Sequence, residues 1–137
     1  MSTAYNVIGY VVDQILTEDG ALPNATSGDS TNVVEIPAAK SGDLKVVVVA
    51  ASTTVELASG ATLEIRPTVG TTTTPTTVLP SILIKESVQS VDTWLPGAVI
   101  TEFVIPRSLI GSNKYLKLTF VTSANESADK ITAFTTA

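Results

Sequence analysis

The feature that most constrains this chain is its rhythm of short β-branched runs cut by turn residues. No segment longer than about ten residues sustains a helical apolar period. Val, Ile and Thr dominate the runs; side chains branched at Cβ are stiff at χ1 and suit a pleated surface. Clusters of Gly, Pro, Ser, Asn and Asp separate the runs, as they do between strands.

Read in order, Val7 to Leu16 is a first strand or an extended arm, interrupted by Gly9. Thr17 to Ser30 reads as a loop, with turn chemistry at Glu18-Asp19-Gly20, Pro23-Asn24 and Ser27-Gly28-Asp29. Strands are expected over Asn32–Ile36 and, after Ser41-Gly42-Asp43, over Leu44–Ala51. The unbroken Val46-Val47-Val48-Val49 implies burial on both faces, or one face in the core and the other against a partner. Ala61–Thr68 alternates and predicts one wet face. A Thr-rich tip then leads to Val78–Lys85, where Pro80 argues for an edge or a bulge. Ser87–Pro96 is expected as a loop holding Trp94, the single tryptophan. Val99–Ile105 is a strand ended by Pro106, and Arg107–Asn113 a short irregular link or one 3₁₀ turn. Tyr115–Thr122 is the clearest amphipathic strand, with Leu116, Leu118 and Phe120 on one face. Lys130–Thr136 is the last.

About eight strands of this kind predict an all-β sandwich or barrel. The long connections favour Greek-key or jelly-roll wiring over plain hairpins. With 137 residues one domain is expected. Its organisation reads as an N-terminal segment (1–30) and a β-sandwich body (31–137).

Composition narrows the chemistry. The chain has no Cys and no His. Their absence removes disulfides, His- or Cys-based catalytic dyads and triads, and ordinary zinc sites. Thirteen acids against eight bases give a formal net charge of −5. A negative surface repels phosphate backbones, so nucleic acid is not an expected partner. The longest apolar run, Val46–Ala51, is far short of the roughly 20 residues a spanning helix needs, so no membrane partner is expected. Met1–Asn6 carries no basic stretch, so no secretory signal is expected. Only 15 % of residues are charged, and Thr and Ser supply much of the polarity. Such a surface suits a protein partly covered in an assembly; a monomer solubilised by hydroxyls is the plain alternative.

Carboxylates are what remains for acid–base or metal chemistry. Glu18-Asp19 with Asp29 could ligate Ca²⁺, but the spacing lacks the alternation of an EF-hand and reads as a solvated turn. Glu64 and Glu102 could pair as in a glycosidase, but ordinary in–out alternation around each favours solvent-facing positions. No glycine cradle for phosphate is present, and no serine has a local base. No catalytic residue, cofactor, metal or small-molecule substrate is therefore expected. Trp94 could fill a partner's pocket or lid the sandwich core. Tyr5 and Tyr10 could dock on a neighbour or pack at home. Arg107, Lys114 and Lys117 approach a basic cluster, for which ordinary salt bridging is the simpler account. The expected interface residues are Tyr5, Tyr10, Trp94, Leu95 and Arg107.

Four stretches resemble the capsid cement (decoration) proteins of tailed bacteriophages: Ser30–Ile36, Ala61–Ile65, Phe103–Arg107 and Lys114–Phe120. The order of polar N-terminal segment, Val-rich strand, Thr-rich loop and Lys-Tyr-Leu-Lys-Leu strand is also similar. The resemblance spans roughly residues 26–137 and covers neither residues 1–25 nor Ser87–Gly97 well. It implies a jelly-roll-like antiparallel β-sandwich on the outer surface of a virion, made in the host bacterial cytoplasm. It further implies a homotrimer that clamps the major capsid protein. Two other classes stay open: a carbohydrate- or receptor-binding β-sandwich of a phage tail or fibre, and a small carboxylate-dependent hydrolase.

Overall fold

The computed structural model describes residues 6–7, 10–36, 43–85 and 92–136. Two antiparallel sheets form a sandwich. The first runs β1 (Asn6–Val7), β2 (Tyr10–Ala21), β13 (Lys130–Thr136), β5 (Leu44–Ala50) and β11 (Val99–Ile105), in that lateral order. In the second, β3 (Ser27–Asp29) and β4 (Val34–Glu35) pair with β12 (Tyr115–Thr122). β12 pairs with β7 (Leu63–Gly70), which carries β8 (Thr77–Val78) and β9 (Ile82–Lys85) on its far side. A small ribbon of β6 (Val55–Leu57) and β10 (Asp92–Trp94) closes one end.

Counting β3 with β4 and β8 with β9, and leaving aside the two-residue β1 and the β6–β10 ribbon, eight principal strands remain. The first, eighth, third and sixth make one sheet; the second, seventh, fourth and fifth make the other. That strand order is a jelly roll.

The valine run explains how the layers are held. Val46 and Val48 face inward, beside Leu63 and Ile65 of β7 and Leu116, Leu118 and Phe120 of β12. Val47 and Val49 face outward, yet are buried with Phe134, Ile15 and Val99 in a second cluster. Burial on both faces is thus achieved within one chain. Each buried Val or Leu contributes about 1.5–3 kcal/mol by leaving water.

Several elements differ from the sequence reading. β2 does not end at Leu16 but continues through the expected Glu18-Asp19-Gly20 turn. The turn residues are absorbed as a bulge, because Ala133 pairs with Thr17 and Ile131 with Gly20. Asp19 sits at φ 51, and its N–H donates to Thr132 Oγ1 at 3.1 Å. Ser27-Gly28-Asp29 is a short strand on β12 rather than a turn. Asp92–Trp94, expected in a loop, pairs with β6, which had no counterpart in the sequence reading. Within the expected link, Arg107–Ile110 forms one helical turn, α1, α-helical where a 3₁₀ turn was the expectation. Pro80 does mark an edge: β8 and β9 are separated there, opposite Pro67 of β7, which has no N–H to offer a partner strand. β11, β12 and β13 coincide with the expected ranges.

Candidate interaction surfaces

The best-defined surface feature is a turn at the end of the sandwich closed by the β6–β10 ribbon. Val55 and Leu57 are fully buried in the main core, so β6 is anchored there. Trp94 pairs with Val55 and is half-buried against the same core. It therefore lids the sandwich, and Leu95 follows it outward at 68 % exposure. Pro96 and Gly97 occupy the centre of the turn, and Gly97 takes φ 89, as the third residue of a type II turn requires. The Ala98 N–H donates to Leu95 O at 2.9 Å. The Gly97 N–H donates to Ala50 O at 2.7 Å, and the Ala50 N–H to Ala98 O at 2.9 Å. Leu95 is thus an apolar knob on a turn fastened to β5.

Two buried carboxylates support this end from below, and the sequence reading missed both. Glu126 and Asp129 lie in the β12–β13 connection at 4 % and 9 % exposure. Glu126 Oε2 accepts the Ala58 N–H, and Asp129 Oδ2 accepts the Glu56 N–H, both at 3.3 Å. They hold the β6 segment, which holds β10 and its turn. Burial pushes the Asp129 carboxyl above its ordinary range, and the nearby Glu56 charge adds to this. Nothing in the local pattern Asn125-Glu126-Ser127-Ala128-Asp129 marks these acids as buried; the β6 segment does it from 73 and 68 residues away in sequence.

The described members of the expected interface set fall at both ends of the sandwich. Tyr5 lies outside the described residues. Tyr10 opens β2, at the same end of the sandwich as the start of β5. Trp94 and Leu95 precede β11 and Arg107 follows it, so the seven residues of that strand separate them, about 24 Å. Arg107 begins α1, and its N–H donates to Asp43 Oδ1 at 3.0 Å. Of Arg107, Lys114 and Lys117, Lys117 is salt-bridged within the chain: its Nζ is 3.1 Å from Asp29 Oδ2, on the β3 side of the second sheet.

The candidate acids are similarly dispersed. Glu64 pairs with Arg66 on the outer face of the second sheet. Glu102 pairs with Lys45 at 2.8 Å on the outer face of the first. A scissile bond cannot lie between carboxylates on opposite outer faces. Asp19 accepts the Ser52 hydroxyl at 2.6 Å and the Ser52 N–H at 3.1 Å, which holds it below the ordinary carboxylate range. Asp29 is also held low, first by the Thr119 hydroxyl at 2.8 Å and then by Lys117. Among the described residues no three acids cluster as metal ligands would.

A groove of about 220 Å³ opens where β2 and β3 part, bounded by Thr17, Gly20, Thr26, Asp29 and Thr31. It is smaller than the roughly 300–1,000 Å³ of ordinary ligand pockets. Phe120, in its floor, is only 4 % exposed and offers no ring face for a sugar to stack on.

No protein-family model and no curated protein matches the chain. Among solved structures, a chain of one titled "Structure of infectious bursal disease virus Gx strain" is similar at TM-score 0.43 and 14 % identity. The match covers 88 % of this chain and 29 % of that one.

Proposed function

We propose that this protein is a non-enzymatic structural component of a phage virion that binds the outside of the assembled capsid and stabilises it. The observation that carries this reading is where the cement-like stretches fall. Ser30–Ile36 contains β4, Lys114–Phe120 contains most of β12, and Ala61–Ile65 starts β7. These three, scattered over 91 residues, lie side by side: Leu116 pairs with Val34, and Phe120 with Ile65. The fourth stretch, Phe103–Arg107, ends β11 and enters α1. Three of the four stretches are therefore neighbours in one sheet, and the fourth lies in the other.

The physics suits the role. A ligand that binds only the assembled shell stabilises it by mass action, about 2.7 kcal/mol per site at a hundred times its Kd. A jelly roll with both faces of its central strand buried is a stiff body for bridging subunits. The Leu95 knob is the feature best built to enter an apolar pocket, since its turn is already ordered before contact.

The test is co-sedimentation with expanded heads assembled without this protein. Saturable binding, reduced by Leu95→Asp at unchanged Tm, supports the proposal. Absence of binding to heads, with retention on cell-surface glycans, replaces it with the tail- or fibre-associated receptor binder.

A further inference from the structure

The groove where β2 and β3 part is held open by a glycine that the fold itself does not require. β3 is the outer strand of its sheet and pairs with β12 in the register Ser27–Val121, Gly28–Phe120 and Asp29–Thr119. Just beyond its two ends the Ser30 N–H donates to Leu118 O at 2.7 Å, and the Thr122 N–H donates to Thr26 O at 3.0 Å. Hydrogen-bonded pairs alternate along an antiparallel ladder, so Gly28 with Phe120 is the bonded pair between these two. Ser27 and Asp29 therefore turn their N–H and C=O groups to the other edge of β3. Among the described residues none pairs with them there.

Side chains follow the same alternation. Ser27 and Asp29 are exposed on the outer face, where Asp29 meets Thr119 and Lys117. Gly28 faces inward, into the groove that Thr17, Pro23, Thr26, Phe120 and Ile131 also line. Glycine weakens a strand interior and often marks a place where something else must come close. Neither strain nor crowding asks for it at this position: its φ is not positive, and a Cβ would meet Pro23 Cγ at 3.5 Å, an ordinary contact. The missing side chain leaves about 220 Å³ open onto Phe120 and Ile131. That space is small for a free ligand, yet a cavity of about 150 Å³ already holds a benzene ring. The groove is also short. The Thr31 N–H bond to Thr17 Oγ1, at 2.8 Å, closes one end, and Pro23 and Thr26 close the other.

We propose that the free edge of β3 takes an extended segment of another polypeptide as an added strand, with one apolar side chain, up to a single ring in size, seated in the groove opposite Gly28. Directly opposed residues on paired strands share a face, so the residue opposite Gly28 points inward and its two neighbours point outward beside Ser27 and Asp29. Main-chain bonds to Ser27 and Asp29 hold the segment, and the groove selects the side chain, as when a strand is added to any sheet edge. The selected side chain is apolar because the floor is Phe120 and Ile131; a charged one would lose its water there without gaining a partner. Residues 1–5 do not supply the segment. Asn6 lies opposite Val11, nine residues of β2 before Gly20 and so about 30 Å from the groove, whereas five residues extend to about 17 Å. The inference is independent of capsid binding, since the Leu95 turn is not part of this site.

The experiment is nitrogen–proton correlation NMR of the whole chain, titrated with the blocked peptide Thr-Lys-Thr-Phe-Thr-Lys-Thr and with versions carrying Leu, Gly or Asp at the centre. The Phe and Leu peptides are expected to shift the Ser27, Gly28 and Asp29 amides, and to bind about tenfold or more tighter than the Gly and Asp peptides. Gly28→Val fills the groove and is expected to weaken the Phe peptide by about tenfold, and Gly28→Ala by about threefold, with neither melting below the wild type. If Gly28→Val alone melts early, Gly28→Ala decides. Unmoved amides at millimolar peptide overturn the proposal. So does binding that ignores the central residue, or that survives the Gly28 variants unchanged. A lowered melting temperature in both variants overturns it too, because the glycine is then structural. Shifts of the same amides with protein concentration, in the absence of peptide, would make a second copy the occupant and overturn the assignment to a foreign segment.

Discussion

Phe134→Ala probes the buried cluster on the outer face of the first sheet, which covers the second face of the valine run. Phe134 is fully buried between Val47 and Ile15, with which it is in register on the two flanking strands. Truncating a ring so enclosed costs about 3–5 kcal/mol, the sum of lost transfer energy and the cavity left behind. The unfolding entropy of a chain of this length is about 0.3 kcal/mol per kelvin, so Tm should drop by roughly 10–17 °C. The cost should match that of an interior truncation such as Leu118→Ala, about 2–5 kcal/mol. The assay is urea unfolding followed by circular dichroism, with Tm measured in parallel. A loss below about 1 kcal/mol, the size expected of a surface site, would refute the claim that the valine run is buried on both faces by this chain alone.

The remaining expectations concern single positions. A Cβ at Gly20 would lie 2.4 Å from Thr17 Cγ2, and Thr17 cannot turn aside without losing the Thr31 N–H held by its Oγ1, so Gly20→Ala should lower stability by about 1–3 kcal/mol in urea titration. Gly97 has open space around it but φ 89, so Gly97→Ala should cost about 1–3 kcal/mol through backbone strain alone, read in the same titration. Asp29 is held below its ordinary value near 3.8, so its contribution is complete above that pH and is lost as pH falls through the folded value; Asp29→Asn should flatten this acid limb of the stability curve. Asp129 is raised instead, so folding is favoured by its protonated form and loses stability as pH rises from about 3.8 through the folded value. Asp129→Asn keeps an oxygen for the Glu56 N–H, carries no charge to bury, and should abolish that loss in urea midpoints measured against pH.

The sheet framework was legible where alternation and punctuation agreed. Leu116, Leu118 and Phe120 alternate cleanly, and Pro106 closes β11, so those strands emerged with their observed bounds. Legibility failed where tertiary pairing overrode turn chemistry. Glu18-Asp19-Gly20 has the composition of a turn, but β13 continues past it, and Thr132 accepts the N–H that the bulge displaces. Ser27-Gly28-Asp29 becomes a strand because β12 offers its edge there. The β6–β10 ribbon joins residues some 35 apart in sequence and carries no local signal. The surface was harder still. Trp94 held two readings of equal chemical sense, and its packing on the core beside Val55 assigns the ring to the lid and Leu95 to the exterior. Glu126 and Asp129 were invisible because burial of an acid depends on what folds over it. The groove beside β3 depends on lateral strand order, which no single stretch of sequence contains.

Electron cryomicroscopy of expanded heads, imaged with and without added protein, addresses the functional claim most directly. The account expects difference density on the outer surface that fits the jelly roll, with the turn at residue 95 against the shell. A difference map empty over the shell, or density confined to the tail, would contradict it.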